Sequence, residues 1–166
     1  MPDFDPVALL RVLVEHGVDF LLVGGVAARL RGAPLLTQDV DITPATDRPN
    51  LVRLTAALEV LESKLRTATE PEGVAFPFDP GLLESGSVWT LTTRYGDLDL
   101  VCSPAGTSGY GDLIRSADRL RVAIDPEVFV MVASLADIIR SKEAAGREKD
   151  RAALPLLRRT LDETER

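Results

Sequence analysis

The sequence predicts a single α/β domain, a small mixed β-sheet flanked by helices, from three observations. Apolar residues recur at helical spacing in stretches such as DPVALLRVLVEH and NLVRLTAALEVL. Between the helices lie short runs that are wholly apolar (FLLV, VFVMVA) or alternate apolar with polar residues (DVDI, DLDLV), as buried and half-buried strands do. The 166 residues suffice for one real core and not for two generous ones. No repeat, low-complexity tract or linker divides them, so 1–166 is expected to be one domain.

Each element has its own signal. Residues 5–16 form a helix with Pro6 in its first turn and Gly17 after it. VDFLLV (18–23) is a buried strand, and GGVAARLRG (24–32) a short helix opened by two glycines. DVDIT is a second strand, and residues 48–64 an amphipathic helix. Residues 70–86, rich in Pro and Gly, are expected to be a long loop. SVWTLTTRYGDLDLVC (87–102) reads as a hairpin hinged near Tyr95–Gly96. AGTSGYG (105–111) is another loop, and DRLRVAI with VFVMVA a strand pair around Asp125–Pro126. Residues 134–164 close the chain as helices: SLADIIRSKEAAG has the Ser134/Asp137 spacing of a capping box and Gly146 as C-cap. In the last helix Pro155 predicts a kink or break.

Composition narrows the function classes. The longest apolar runs are strand-sized and far short of a membrane span, so no membrane partner is expected. The acidic start MPDFDP is unlike a signal or transit peptide, which makes a cytoplasmic location the expectation. Cys102 is the only cysteine, which excludes an internal disulfide and a multi-cysteine metal site. A net charge of −7 argues against a broad grip on nucleic acid, and DNA is not expected as a partner. Lys and Arg do gather locally, at residues 29–32 and 140–149. His16, Trp89 and the serines show no catalytic pattern: His16 ends a helix, Trp89 packs the sheet, and no His stands near a candidate nucleophile.

The informative stretch is LLTQDVDITP (35–44). Asp is depleted from strands, yet Asp39 and Asp41 fall on one strand face, about 7 Å apart, where two anions repel. A solvated edge strand would tolerate them. A divalent cation would make the arrangement worth keeping, because Mg²⁺ takes hard oxygen ligands and often uses one or two carboxylates with substrate phosphates. Gly24 and Gly25, at a strand-to-helix turn shortly before, would let a phosphate approach backbone N–H groups. In YGDLDLV (95–101), Leu98 and Leu100 should face the core, leaving Asp97 and Asp99 opposite. Asp99 is expected to be the functional third carboxylate, and Asp97 to stabilise the turn.

Gly-Gly, then DVDI, then a third Asp on a later strand resembles the polymerase-β-like nucleotidyltransferase superfamily, with Gly24, Gly25, Asp39, Asp41 and Asp99 at the matching positions. SLADIIRSKEAAGREKDRAAL resembles the late segment of bacterial AbiEii- and MenT-type nucleotidyltransferases, matching Lys142, Arg147 and Asp150. The resemblance spans most of residues 5–160. It implies a nucleotidyltransferase fold in which the C-terminal helices complete the site. It also implies transfer of a nucleoside monophosphate from a nucleoside triphosphate to an acceptor, with release of pyrophosphate. Asp39 and Asp41 would ligate one or two Mg²⁺ ions, and Asp99 would ligate the second or accept the acceptor hydroxyl's proton. Gly24, Gly25, Lys142, Arg147 and Asp150 would bind the nucleotide. The acceptor would be an RNA 3′ end, such as that of tRNA, or a protein hydroxyl, as in the toxin of a toxin–antitoxin system. Two other classes share these residues: an antitoxin-type minimal nucleotidyltransferase that modifies a partner toxin, and a non-catalytic nucleotide-binding or interaction module.

Overall fold

In the computed structural model, which describes residues 3–166, the chain opens with α1 (Pro6–Glu15). Asp5 caps it by accepting a hydrogen bond from the Ala8 N–H at 3.0 Å, and Pro6 occupies the first turn, where no N–H is missed. The strand β1 (Phe20–Val23) runs directly into α2 (Gly24–Leu30), and β2 (Asp39–Pro44) leads to α3 (Arg48–Val60). Asn50 fixes this half of the molecule. Its buried amide donates to the carbonyls of Asp19 (2.8 Å) and Ala45 (2.7 Å), and its side-chain oxygen accepts from the Asp19 N–H at 2.7 Å. A buried amide satisfied at both ends locks the start of α3 to the flanks of β1 and β2.

The helix expected over 48–64 stops early. Leu61 is its C-cap, Glu62 turns into the left-handed region (φ 54°), and Ser63 N–H reaches back to the Leu58 carbonyl at 3.0 Å. That is a Schellman closure with Glu in the place glycine usually takes. The chain is thereby released into β3 (Lys64–Leu65), at the edge of the sheet. The loop expected over 70–86 is likewise not structureless: Val74 bridges to Leu65, and α4 (Pro80–Ser85) starts on an Asp79 cap. The hairpin β4 (Val88–Thr93) and β5 (Gly96–Val101) follows as expected.

Next come α5 (Tyr110–Leu113), which begins in the last two residues of the stretch expected to be loop, and the hairpin β6 (Asp118–Ile124) and β7 (Glu127–Val132), with a cis Asp125–Pro126 bond between them. The chain closes with α6 (Leu135–Ala145) and α7 (Glu148–Thr164). Ser134 caps α6 by accepting from the Asp137 N–H, and Gly146 ends it at φ 63°. Of the kink or break expected at Pro155, the break does not occur: α7 continues through it. Pro155 lies on the exposed side, where water can solvate the carbonyl its missing N–H leaves free.

The seven strands form one mixed sheet in the order β3-β4-β5-β2-β1-β7-β6. The β2–β5 and β1–β7 pairs are parallel and the rest antiparallel. Central β1 is buried along its whole length, whereas β5 alternates buried leucines with half-buried aspartates. Leu9, Leu10 and Leu13 of α1 join Leu51, Leu54 and Leu58 of α3, Val40 and Ile42 of β2, and Leu98 and Leu100 of β5 in the core. No described helix is long and apolar enough to cross a membrane.

Candidate functional site

The register of the sheet assembles the acidic residues. In the parallel β2–β5 pair, Asp39 lies beside Asp97 and Asp41 beside Asp99, and Val23, the last residue of β1, lies beside Asp41 on its other flank. Val40, Ile42, Leu98 and Leu100 point to the core, so strict alternation turns all four aspartates to the opposite face. Asp39, Asp41 and Asp99 each bring a carboxylate oxygen to within 4.8 Å of the other two. Asp97 stands apart from this group. It pairs with Arg66 at 3.3 Å and does not line the cavity that the other three share.

That cavity, of about 810 Å³, also receives the strand-to-helix turn. Gly24 sits at φ +70°, and a Cβ there would collide with the Asp41 carboxylate; a Cβ at Gly25 would lie 2.9 Å from Thr37. Glycine is therefore required where the turn meets the acids. No side chain caps the N-terminus of α2, so its first N–H groups are not occupied by a protein cap. Thr37 steadies the approach to β2: its hydroxyl donates to the Asp39 carbonyl at 3.0 Å and lies 3.3 Å from the Asp39 carboxylate.

Crowded acids on one half-buried face shift one another. Burial, then the charges of Asp39 and Asp99, push Asp41 up to about 7, against the smaller opposing pull of Lys142 and Lys149. Asp99 is also raised, by burial first and by Asp39 next, with Arg66 opposing. Held-together carboxylates in one cavity, with only oxygen donors, suit a hard divalent cation.

Across the cavity the α6–α7 junction supplies positive charge. Lys142 is in the last turn of α6, Gly146 reverses the chain, and Arg147 opens α7. Asp150, fully buried, ties them together. It accepts from Arg147 N–H (3.2 Å), Arg147 Nε (2.7 Å), Arg147 Nη2 (3.3 Å) and Lys142 Nζ (3.4 Å). Burial alone would raise the Asp150 carboxyl, but these bonds and charges outweigh it and hold the group below the usual carboxylate range. Asp150, expected among the nucleotide contacts, lines the cavity with its carboxylate taken up by the two cations.

Three further residues belong here that the motifs did not single out. Lys149, exposed in the first turn of α7, lines the cavity and acts on Asp41 by its charge. Its signal was available, since Lys149 stands directly before Asp150 in the stretch that carries the resemblance. Arg66 had none, because only the tertiary fold brings it to the acids, whereas Thr37 stands two residues before Asp39 and contacts it locally.

This architecture is the nucleotidyltransferase fold, a mixed α/β domain with a seven-stranded sheet. A solved structure that shares it is the solution structure of the antibiotic-resistance factor ANT(2″)-Ia, which reveals substrate-regulated conformation dynamics. The TM-score is 0.55 and the identity 17%, over 94% of this chain and 84% of the other. The likeness is one of fold. No family model and no curated protein matches the sequence.

Proposed function

We propose that the protein is a Mg²⁺-dependent nucleotidyltransferase that moves a nucleoside monophosphate from a nucleoside triphosphate to an acceptor hydroxyl and releases pyrophosphate. One observation carries this reading: three carboxylates from two neighbouring strands face the Lys142–Arg147–Lys149 cations and the Gly24–Gly25 turn across a single cavity. The shared fold with ANT(2″)-Ia supports it.

Asp39, Asp41 and Asp99 would hold the metal. Mg²⁺ bound there would polarise the phosphoryl group and neutralise charge on the attacking and leaving oxygens. The chain's own residues do the rest. Backbone N–H groups at Gly24 and Gly25 receive phosphate oxygens. Lys142, Arg147 and Lys149 neutralise charge that grows as pyrophosphate departs, and Asp150 keeps the first two in place. Asp99, between Asp41 on one side and Thr90 on the other, ligates or takes the acceptor hydroxyl's proton.

Among acceptors we favour an RNA 3′ end, as for a toxin of the AbiEii or MenT type, on the Lys142, Arg147 and Asp150 pattern. A protein hydroxyl would mark the antitoxin-type enzyme that modifies its partner. Incubation with each labelled nucleoside triphosphate, Mg²⁺, and total RNA or lysate separates these. Label should enter RNA or a protein with the wild type and not with the folded Asp39→Asn/Asp41→Asn variant. Equal transfer by that variant would remove both residues from the reaction.

A further inference from the structure

The cations of the site do not all come from the helical junction. Arg66 directly follows β3, and its N–H donates to the Thr90 carbonyl at 2.9 Å, so it extends the edge strand by one residue. Thr90 pairs with Asp99, and Asp99 with Asp41, which sets Arg66, Thr90, Asp99 and Asp41 in one row across four strands. From the far end of this row the guanidinium bridges two carboxylates, with Nη1 3.3 Å from Asp97 and Nη2 3.3 Å from Asp99. The Arg66 Nε–H is enclosed and has no acceptor, so the side chain is packed into place and does not swing in solvent.

As a contribution to stability this bridge is small. The three side chains are 28%, 35% and 21% exposed, and ion pairs open to water are screened. Its geometry has more consequence. A planar fork can hold two carboxylates two residues apart on one strand in a fixed geometry, which a lysine's rotatable ammonium does not impose. We infer that Arg66 is a positioning residue for Asp99: anchored on Asp97, it fixes one Asp99 oxygen and leaves the carboxylate's other acceptor positions turned to Asp39 and Asp41. This explains why Asp97 shares the acidic face yet stays out of the cavity. The inference rests on the proposed role of Asp99 in nucleotide transfer.

The test measures steady-state transfer for wild type, Arg66→Ala, Arg66→Lys and Asp97→Asn, and Mn²⁺ binding to the nucleotide-free proteins by electron paramagnetic resonance. Loss of an outer partner of a metal-holding group costs roughly 10–100-fold, and that loss is expected both in kcat and in Mn²⁺ affinity for Arg66→Ala. The KM for the triphosphate should stay within about twofold, because the phosphates are held elsewhere. Arg66→Lys should recover part of the loss, Asp97→Asn should show a smaller loss, and the combined Arg66→Ala/Asp97→Asn variant should be no worse than Arg66→Ala. Wild-type kcat and Mn²⁺ affinity in Arg66→Lys and Arg66→Ala, or a defect confined to KM, would overturn the inference. A wild type without transfer activity whose Mn²⁺ binding still weakens in Arg66→Ala would sink the nucleotidyl-transfer reading and keep the positioning role.

Discussion

Asp41 and Asp150 are two aspartates of one cavity in opposite situations. Asp150 is the less exposed to solvent, yet its carboxyl is held below the usual range, because Arg147 and Lys142 direct four donors at it. Asp41 is pushed up to about 7, because burial and two further carboxylates act on it and no donor of comparable quality reaches it. Burial does not by itself set the fate of a charge; the partners do. A group whose partners are complete is a structural fastener. A cluster of anions held together without enough positive partners is a place where the fold has left room for a cation, and functional sites are where such perturbed groups gather.

The contrast can be broken by substitution. Asp150→Asn removes the charge and one of the two oxygens that the four donors share, and should cost about 1–3 kcal/mol in urea unfolding, moderated because Arg147 is largely exposed. Asp41→Asn should do the reverse and raise the Tm of the metal-free protein at pH 8, since it relieves repulsion within the acidic group. A Tm that falls in both variants would mean that Asp41 is fastened as Asp150 is.

A pH series sharpens the same point. The folded-state value of Asp41 lies above that of the unfolded chain, so between 3.8 and about 7 the native protein binds more protons than the unfolded one. The stabilising contribution of protonated Asp41 is therefore complete below 3.8 and is lost as pH rises through about 7. Metal-free Tm should drop across that window, and millimolar Mg²⁺ should restore it above the window, where the carboxylates are ionised. Asp150, with its lowered value, contributes with the opposite sign, losing stability only on acidification below the ordinary carboxylate range. The smallest effect belongs to Lys149→Ala. As an exposed cation facing the phosphates, it should raise the KM for the triphosphate more than it lowers kcat, with Tm unchanged.

What the sequence made legible follows from range. Gly24–Gly25, the DVDI strand and the DLDLV alternation are local patterns, and their faces follow from a period of two. The capping serine of α6 and the glycine that ends it are local too. The rest depends on pairing at a distance. Two residues, Lys64 and Leu65, become a strand only because β4 stands beside them, and Arg66 reaches Asp99 only because that edge strand forms. The early end of α3 was hidden because Glu62, not glycine, takes the left-handed position. The helix α4 did carry a local signal, Asp79 before Pro80, which the proline- and glycine-rich surroundings masked. Asp150 is expected at the site from the family resemblance alone, and the fold adds that its partners there are Arg147 and Lys142.

The central claim is that the Asp39–Asp41–Asp99 cluster and the Lys142–Arg147 side form two halves of one metal–triphosphate site. Anomalous diffraction from crystals grown with Mn²⁺ and a non-hydrolysable nucleoside triphosphate tests it most directly. The expected result is Mn²⁺ within ligand distance of carboxylate oxygens of Asp39 and Asp41, with the triphosphate running from the Gly24–Gly25 turn toward Lys142. Mn²⁺ away from these carboxylates, or a nucleotide bound outside the cavity, would contradict it.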